Sequence, residues 1–346
     1  MTMRKILLMI SLMILLPSFV YPITYENIWY KENVGQYNFN DISTPDHSTA
    51  FAVGNAGLVM KRTSSGWTNI TVGVPIQSDW DFNGVWFYDN QKGFIVGAKN
   101  VGNAGDPARE GIILRTTNGG GNWTKWYSSS IVGVERPVSF NDVCYAQSAG
   151  GANKRVYVVG DKRYILRLPN SWANNTWEKV TNYPPGSDVY DNFTSVWAVQ
   201  ASPNVVWIAS DNQGKIYRSQ NYGDDWDGPH YFGQTYTIPD PATGYDIEFV
   251  GYKLPLSIYG IDYNHSYVSL SHGKVGYIYE SGGTVYTVEK DANAGNTWLR
   301  NIWGTGSNTM HAVGTDGVIL KTDKENWGSG FKILDRVFIT IQDLSC

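Results

Sequence analysis

Six times along this chain the same succession of short segments returns. A strand-like stretch closes on Trp or its counterpart, and an apolar stretch follows. Gly and a few apolar residues then lead to Arg or Lys, and a turn and a Trp complete the unit. The first copy runs through Asn40-Asp-Ile42, Ala50–Gly54, Gly57–Lys61 and Trp67, the second through Asn83–Trp86, Gly93–Gly97, Gly111–Arg115 and Trp123. The third has Asn141–Cys144, Val156–Gly160, Tyr164–Arg167 and Trp177, and the fourth has Thr194–Trp197, Val205–Ile208, Gly214–Arg218 and Trp226. The fifth, the most degenerate, reads Tyr259–Ile261, Tyr267–Leu270, Gly276–Glu280 and Trp298. The sixth reads Asn301–Trp303, His311–Gly314, Gly317–Lys321 and Trp327.

A period of roughly 35 to 55 residues is that of one small antiparallel sheet. Such a sheet has two apolar faces and can bury neither alone. Stacking the copies radially buries both and leaves only short edges. The recurrent Val-Gly before a short turn and a second apolar run reads as the hairpin between second and third strands. The 14 Trp, 23 Tyr and 37 Gly fit strands and their turns, and no long segment beyond residue 25 keeps a helical period. The predicted fold is therefore all-β: a β-propeller of six four-stranded antiparallel blades, one domain over residues 23–346. Asn27–Lys31 resembles Trp67–Thr71 and can supply the outer strand that locks the ring. Val337–Gln342 also alternates as a strand, so a composite seventh blade is the alternative.

The first 22 residues differ from the rest. Arg4 and Lys5 precede an apolar run, Ile6–Leu16, broken only by Ser11, and Pro17–Pro22 follows. This is the layout of a secretory signal peptide over residues 1–22. The run is shorter than the roughly 20 apolar residues of a membrane span, so an uncleaved anchor is the alternative and the only route to a membrane. The expected location is secreted or at the cell surface. Five sequons suit that location, at Asn69, Asn122, Asn174, Asn192 and Asn264. Two cysteines, Cys144 and Cys346, are too few for a disulfide framework. Cys144 lies in an apolar strand and is expected to be buried, and Cys346 is left open. Net charge is −4 with no basic run, which argues against a nucleic-acid partner.

The turns after the third strands carry a family signal. Thr116-Thr-Asn118-Gly-Gly120-Gly-Asn122-Trp123 and Ser219-Gln-Asn221-Tyr-Gly223-Asp-Asp225-Trp226 resemble the Asp-box, Ser/Thr-x-Asp-x-Gly-x-Thr-Trp, with Asn in place of Asp. That box belongs to bacterial neuraminidase repeats and to propellers similar to photosystem II assembly factors. The resemblance implies a propeller whose boxes are structural turns. Asn118 and Asn221 would cap the turn, Gly120 and Gly223 would take positive φ, and Trp123 and Trp226 would pack onto the blade. It also implies one enzymatic alternative, a sialidase-like glycan hydrolase with three arginines on a carboxylate, a Tyr–Glu nucleophile and an Asp acid/base. No arginine motif assigns those roles here.

Other chemistry is absent from the sequence pattern. The histidines and cysteines show no zinc spacing, there is no phosphate loop, and no cofactor is called for. Asp106 and Asp224–Asp227 are candidate loop calcium ligands without an EF-hand spacing. Two repeated positions remain. Lys61, Arg115, Arg167, Arg218, Glu280 and Lys321 follow the third-strand triplets. They form either a basic arc for an anionic partner, with Arg115, Arg167 and Arg218 as its centre, or local covers of their own blades. Trp86, Trp197 and Trp303, with Cys144 and Asp262 at matching places, are expected on the innermost strands. Tyr231–Lys253 reads as an irregular insertion and a candidate contact loop. The expected function is a non-catalytic binding or assembly module for a protein or glycan outside the cell. A self-associating subunit of an extracellular filament or surface layer is the structural alternative.

Overall fold

The computed structural model describes residues 38–46, 48–70, 79–100, 109–128, 139–169, 176–239, 246–252, 254–291, 298–304, 310–314, 318–321 and 332–336. Within them lie six four-stranded antiparallel sheets in chain order, each a simple up-and-down meander. The first comprises β1 (Phe39–Ser43), β2 (Ala50–Gly54), β3 (Val59–Thr63) and β4 (Gly66–Asn69), and the second β5 (Trp80–Phe87), β6 (Gly93–Asn100), β7 (Arg109–Thr116) and β8 (Thr124–Ser128). The third holds β9 (Phe140–Gln147), β10 (Lys154–Gly160), β11 (Tyr164–Pro169) and β12 (Glu178–Lys179), and the fourth β13 (Phe193–Val199), β14 (Ser202–Ser210), β15 (Lys215–Ser219) and β16 (Asp227–Tyr231). A two-stranded ribbon, β17 (Gly233–Pro239) and β18 (Asp246–Tyr252), then intervenes. The fifth sheet is β19 (Pro255–Gly260), β20 (His265–Leu270), β21 (Lys274–Ser281) and β22 (Thr284–Asp291), and the sixth β23 (Leu299–Gly304), β24 (Met310–Gly314), β25 (Val318–Lys321) and β26 (Lys332–Arg336).

Successive first strands pack on one another: β1 on β5, β5 on β9, β9 on β13, β13 on β19 and β19 on β23. They form the inner wall, as the repeat predicts. The second strands run through the interior of the sheets, and Ala50–Gly54 is buried throughout and Val156–Gly160 likewise. That is why these segments read as unbroken apolar runs. Each gap between sheets holds its own core. Phe51, Val53 and Val59 meet Phe82, Val85, Ile95, Ile112 and Leu114 in the first gap, and Cys144, Tyr157 and Ile165 meet Phe193, Val196 and Ile208 in the third.

One irregularity recurs in all six first strands. A bulge leaves Asn40, Asn83, Asn141, Thr194, Leu256 and Arg300 without a cross-strand partner. A bulge re-aims the extra residue, and here it turns a side chain toward the next sheet. Asn40 Nδ2 donates to the Phe82 carbonyl at 2.8 Å, Asn83 to Phe140 at 2.8 Å, Asn141 to Phe193 at 3.0 Å, and Thr194 Oγ1 to Pro255 at 3.1 Å. The following residue works the other way. Asp41 accepts from the Val85 amide at 2.8 Å, Asp142 from Val196 at 2.9 Å, and Ser195 from Ile258 at 3.3 Å. Neighbouring inner strands have no backbone ladder, and these side chains replace it. Opposite the bulges, a Cβ on Gly54, Gly97 or Gly160 would run into the carbonyls of Asn38, Asp81 and Ser139, which accounts for the recurrent Val-Gly.

The structure corrects the fifth copy of the repeat. Its first strand is Pro255–Gly260, and Tyr259 pairs with Tyr267 as Trp197 pairs with Trp207. Tyr259 therefore stands at the place given to Asp262, which instead caps a turn through the Asn264 amide and His265. In the third strand Tyr277, not Glu280, faces the equivalent position. The outer strand Thr284–Asp291 follows the Gly282-Gly283 turn directly, and Trp298 precedes the sixth sheet without closing the fifth. The Tyr231–Lys253 stretch is not irregular, for it forms the β17–β18 ribbon. The proposed closing strands, Asn27–Lys31 and Val337–Gln342, lie outside the described residues, as do the 1–22 segment, Asp106 and Cys346.

Candidate functional site

The turn between β7 and β8 borders a concavity on the protein surface. The Thr116 hydroxyl donates to Asn118 Oδ1 at 3.0 Å and accepts from the Gly120 amide at 3.0 Å, and Asn118 Oδ1 accepts from the Asn122 amide at 2.8 Å. The turn between β15 and β16 repeats the set. Ser219 bonds Asn221 at 3.0 Å and the Gly223 amide at 2.9 Å, and Asn221 accepts from the Asp225 amide at 2.8 Å. Gly120 and Gly223 have φ of 83° and 85°. Trp123 folds back into the first inter-sheet core and is 3% exposed, whereas Trp226 packs at the edge of the third and is half-buried.

Beside the first turn, Arg115, Thr117, Asn118, Asn122, Thr124 and Trp126 line a cleft of about 610 Å³. Its floor is an aromatic stack. Trp126 lies parallel to Phe94 with ring centroids 5.6 Å apart and meets Trp177 edge-on at 6.2 Å. The Arg115 guanidinium sits 4.0 Å over the Trp126 ring, and burial holds its pKa below the ordinary arginine value. A cation on a fixed aromatic shelf, rimmed by two amides and two hydroxyls, suits a ligand that is part apolar and part hydrogen-bonding.

The structure does not gather the other basic positions into this cleft. Lys61 Nζ donates to the Gly119 carbonyl of the next sheet at 3.0 Å. Arg167 bonds Glu178 at 2.8 Å, then Asp224 at 2.6 Å and the Tyr222 carbonyl at 3.0 Å in the next sheet. Arg218 reaches Asp227 at 2.7 Å, Glu280 at 2.7 Å and the Tyr263 carbonyl at 3.0 Å. These side chains tie each sheet to the following one. Lys321 occupies the same register position opposite His311.

The inner-strand aromatics converge. Trp86 and Trp197, two sheets apart, meet edge-on at 5.4 Å, and Tyr259 lies 4.7 Å from Trp197. Trp303 is 48% exposed. Cys144 is fully buried between them, accepting from the Ala198 amide at 3.2 Å, and burial pushes its thiol pKa up. Of the sequons, Asn69, Asn122 and Asn264 are exposed. The Asn192 amide is engaged with Asp211 at 3.1 Å, and Asn174 lies outside the described residues.

No family model matches the chain, and no curated protein sequence matches it. Among solved structures it is similar to YCF48 bound to a D1 peptide, at 16% identity and a TM-score of 0.55 over 86% of this chain and 80% of that one. It is similar also to the WD40 β-propeller domain of Doa1, at 14% identity and a TM-score of 0.54 over 84% of this chain and 80% of that one. The fold is a β-propeller.

In this propeller the cleft lies on the rim formed by third-to-fourth-strand turns. Sequence reasoning had singled out Arg115, Asn118 and Asn122 but missed Trp126, Thr117 and Thr124. The available signal was Thr124-Lys-Trp126, a second Trp three residues beyond the repeat Trp.

Proposed function

We propose that the chain is an exported, six-bladed propeller that binds a polypeptide partner without chemistry, using the Arg115–Trp126 cleft. The observation that carries this reading is the Arg115 guanidinium fixed at 4.0 Å over Trp126 in an open cleft of about 610 Å³. A rigid shelf loses little entropy on binding, and Trp and Arg are the side chains that most often dominate such contacts. A neighbour of the same fold has a peptide bound, which fits this class of partner. Export rests on the Arg4-Lys5 and Ile6–Leu16 layout. The two Asn-bearing turns behave as degenerate Asp-boxes, a reading supported by their matching bond sets, and the Asn118 turn shapes the cleft wall.

The test places a photo-crosslinking amino acid at Thr117 on the cleft rim, with Thr68 on the first outer strand as the control. Irradiated in the native extracellular fluid, the Thr117 protein is expected to capture a polypeptide that the Thr68 protein does not. Equal capture at both positions, or capture of carbohydrate alone, would overturn the reading.

A further inference from the structure

The opposite rim carries a second feature. There the second strand of each sheet turns into the third, and in three sheets this turn uses two successive left-handed residues. They are Ala56-Gly57, Gln213-Gly214 and His272-Gly273, with φ of 56° and 72°, 60° and 68°, and 60° and 65°. The second residue is Gly each time, as its backbone favours. In the third sheet the pair is Lys162-Arg163, with φ of 55° and 54°. An arginine holds the glycine position. A left-handed non-glycine residue costs about 1–2 kcal/mol, and strain of this kind is kept where the side chain has a task.

The Arg163 side chain stacks on Tyr183, its guanidinium 4.1 Å from the ring, and donates to the Ser187 carbonyl at 3.2 Å. Lys179 lies alongside, its ammonium 4.3 Å from the Tyr164 ring. Burial works to lower the Lys179 pKa, but the phenols of Tyr164 and Tyr183 more than offset it. Among the described residues neither Arg163 nor Lys179 has a carboxylate partner, whereas Arg167 and Arg218 have two each. Two uncompensated cations sit together in a chain of net charge −4.

Tyr183 belongs to the connection from the third sheet to the fourth, residues 181–191. Its far end presents Val189, 49% exposed, and Tyr190, 81% exposed. The segment is firmly anchored. The buried Lys215 ammonium bonds Asp191 at 3.0 Å and the Gly186 carbonyl at 3.2 Å, the Ser187 hydroxyl donates to Pro184 at 2.6 Å, and Asp188 accepts from the Tyr190 amide at 2.7 Å. Two exposed apolar residues on a fixed loop beside two unpaired cations form a mixed surface. The cations favour an anionic partner. The apolar pair favours a polypeptide over a sugar chain, because Val189 and Tyr190 gain from burial against side chains.

We propose that Arg163, Lys179, Tyr183 and the Val189-Tyr190 tip form a docking surface for an acidic polypeptide segment carrying at least one apolar side chain. It lies on the rim opposite the Arg115–Trp126 cleft and does not depend on it.

The probe is a fluorescein-labelled peptide, Glu-Glu-Leu-Glu-Glu-Leu-Glu-Glu, titrated into the mature protein by anisotropy at two salt concentrations. The parent is expected to bind, more weakly as salt rises. Arg163→Gly is expected to bind at least tenfold more weakly while melting no lower than the parent, because glycine relieves the turn. R163Q/K179Q, which keeps side-chain volume, is expected to lose the same affinity and most of the salt dependence. Tyr190→Ala should weaken binding about threefold to fivefold and leave the salt dependence unchanged, and Thr117→Trp in the cleft should bind as the parent does. Parent-like binding by R163Q/K179Q, no binding by the parent, or binding of a heparin hexasaccharide in preference to the peptide would each overturn the proposal.

Discussion

Asn83 sits on a bulge of one inner strand and donates its side-chain amide to the Phe140 carbonyl of the next inner strand at 2.8 Å. The same bond recurs from Asn40 and Asn141, with Thr194 as the fourth member. Sheets that share no backbone ladder are thus stitched by side chains of their inner strands, with Asp41, Asp142 and Ser195 accepting in return. Asn83→Ala leaves the carbonyl without its donor and is expected to lower stability by about 1 kcal/mol. Urea unfolding at fixed m-value checks this. Asn83→Asp should cost more, because a carboxylate would face a carbonyl.

A second tie is buried. Lys215 is 4% and Asp191 0% exposed, with the ammonium 3.0 Å from the carboxylate and the Tyr217 hydroxyl donating to it at 3.2 Å. Removing one partner leaves a charge without compensation, so Lys215→Met should cost about 3–5 kcal/mol. The double variant K215M/D191N should recover part of that loss. Thermal melts of both variants decide it.

The turn tryptophans should differ. Trp123 is 3% exposed, with Phe87 edge-on to its ring at 5.9 Å, so Trp123→Ala is expected to cost about 3–5 kcal/mol. Trp226 keeps part of its surface in solvent, and Trp226→Ala should cost about 2 kcal/mol. Denaturant unfolding that shows equal losses would contradict the packing described here.

Enclosure by the inner ring pushes the Asp41 carboxyl up to about 8, with the Asp142 charge adding to it, and the Asp142 carboxyl up to about 6. A folded-state pKa above the unfolded value means that the folded protein holds more protons across this window. The stabilisation is then fully present near pH 4 and is lost as pH rises through about 6 to 8, the two folded values. Asp41→Asn cannot ionise, so its melting temperature should gain on the parent between pH 5 and 8.5. A constant difference across that range would exclude the assignment.

Much of this architecture could be read from the chain, and the reason is mechanical. Val-Gly closes second strands because a carbonyl of the bulged first strand leaves no room for a Cβ. The Asn before the inner strand recurs because its amide bridges to the next blade. The fifth blade was misread by three residues because Pro255–Gly260 lacks both signals: Leu256 stands at the bulge, and Leu270 replaces the Gly. The basic row was visible as a row, but its direction was not. Only the fold shows that Arg167 and Arg218 reach forward to Asp224 and Glu280. The cleft was half legible, since Arg115 and Asn118 stand out by repetition while Trp126 gains meaning only from its stacking on Phe94. Arg163 was hidden for a similar reason. Its significance lies in occupying a glycine position, which register alone reveals.

Thr117 is exposed on the cleft rim, so Thr117→Trp should fill the space without disturbing the core. The decisive measurement is calorimetric titration of the polypeptide captured at Thr117 into the parent and into this variant, with melting curves alongside. At least a tenfold loss of affinity at an unchanged melting temperature is expected. Undiminished affinity in the filled variant would contradict the proposed site.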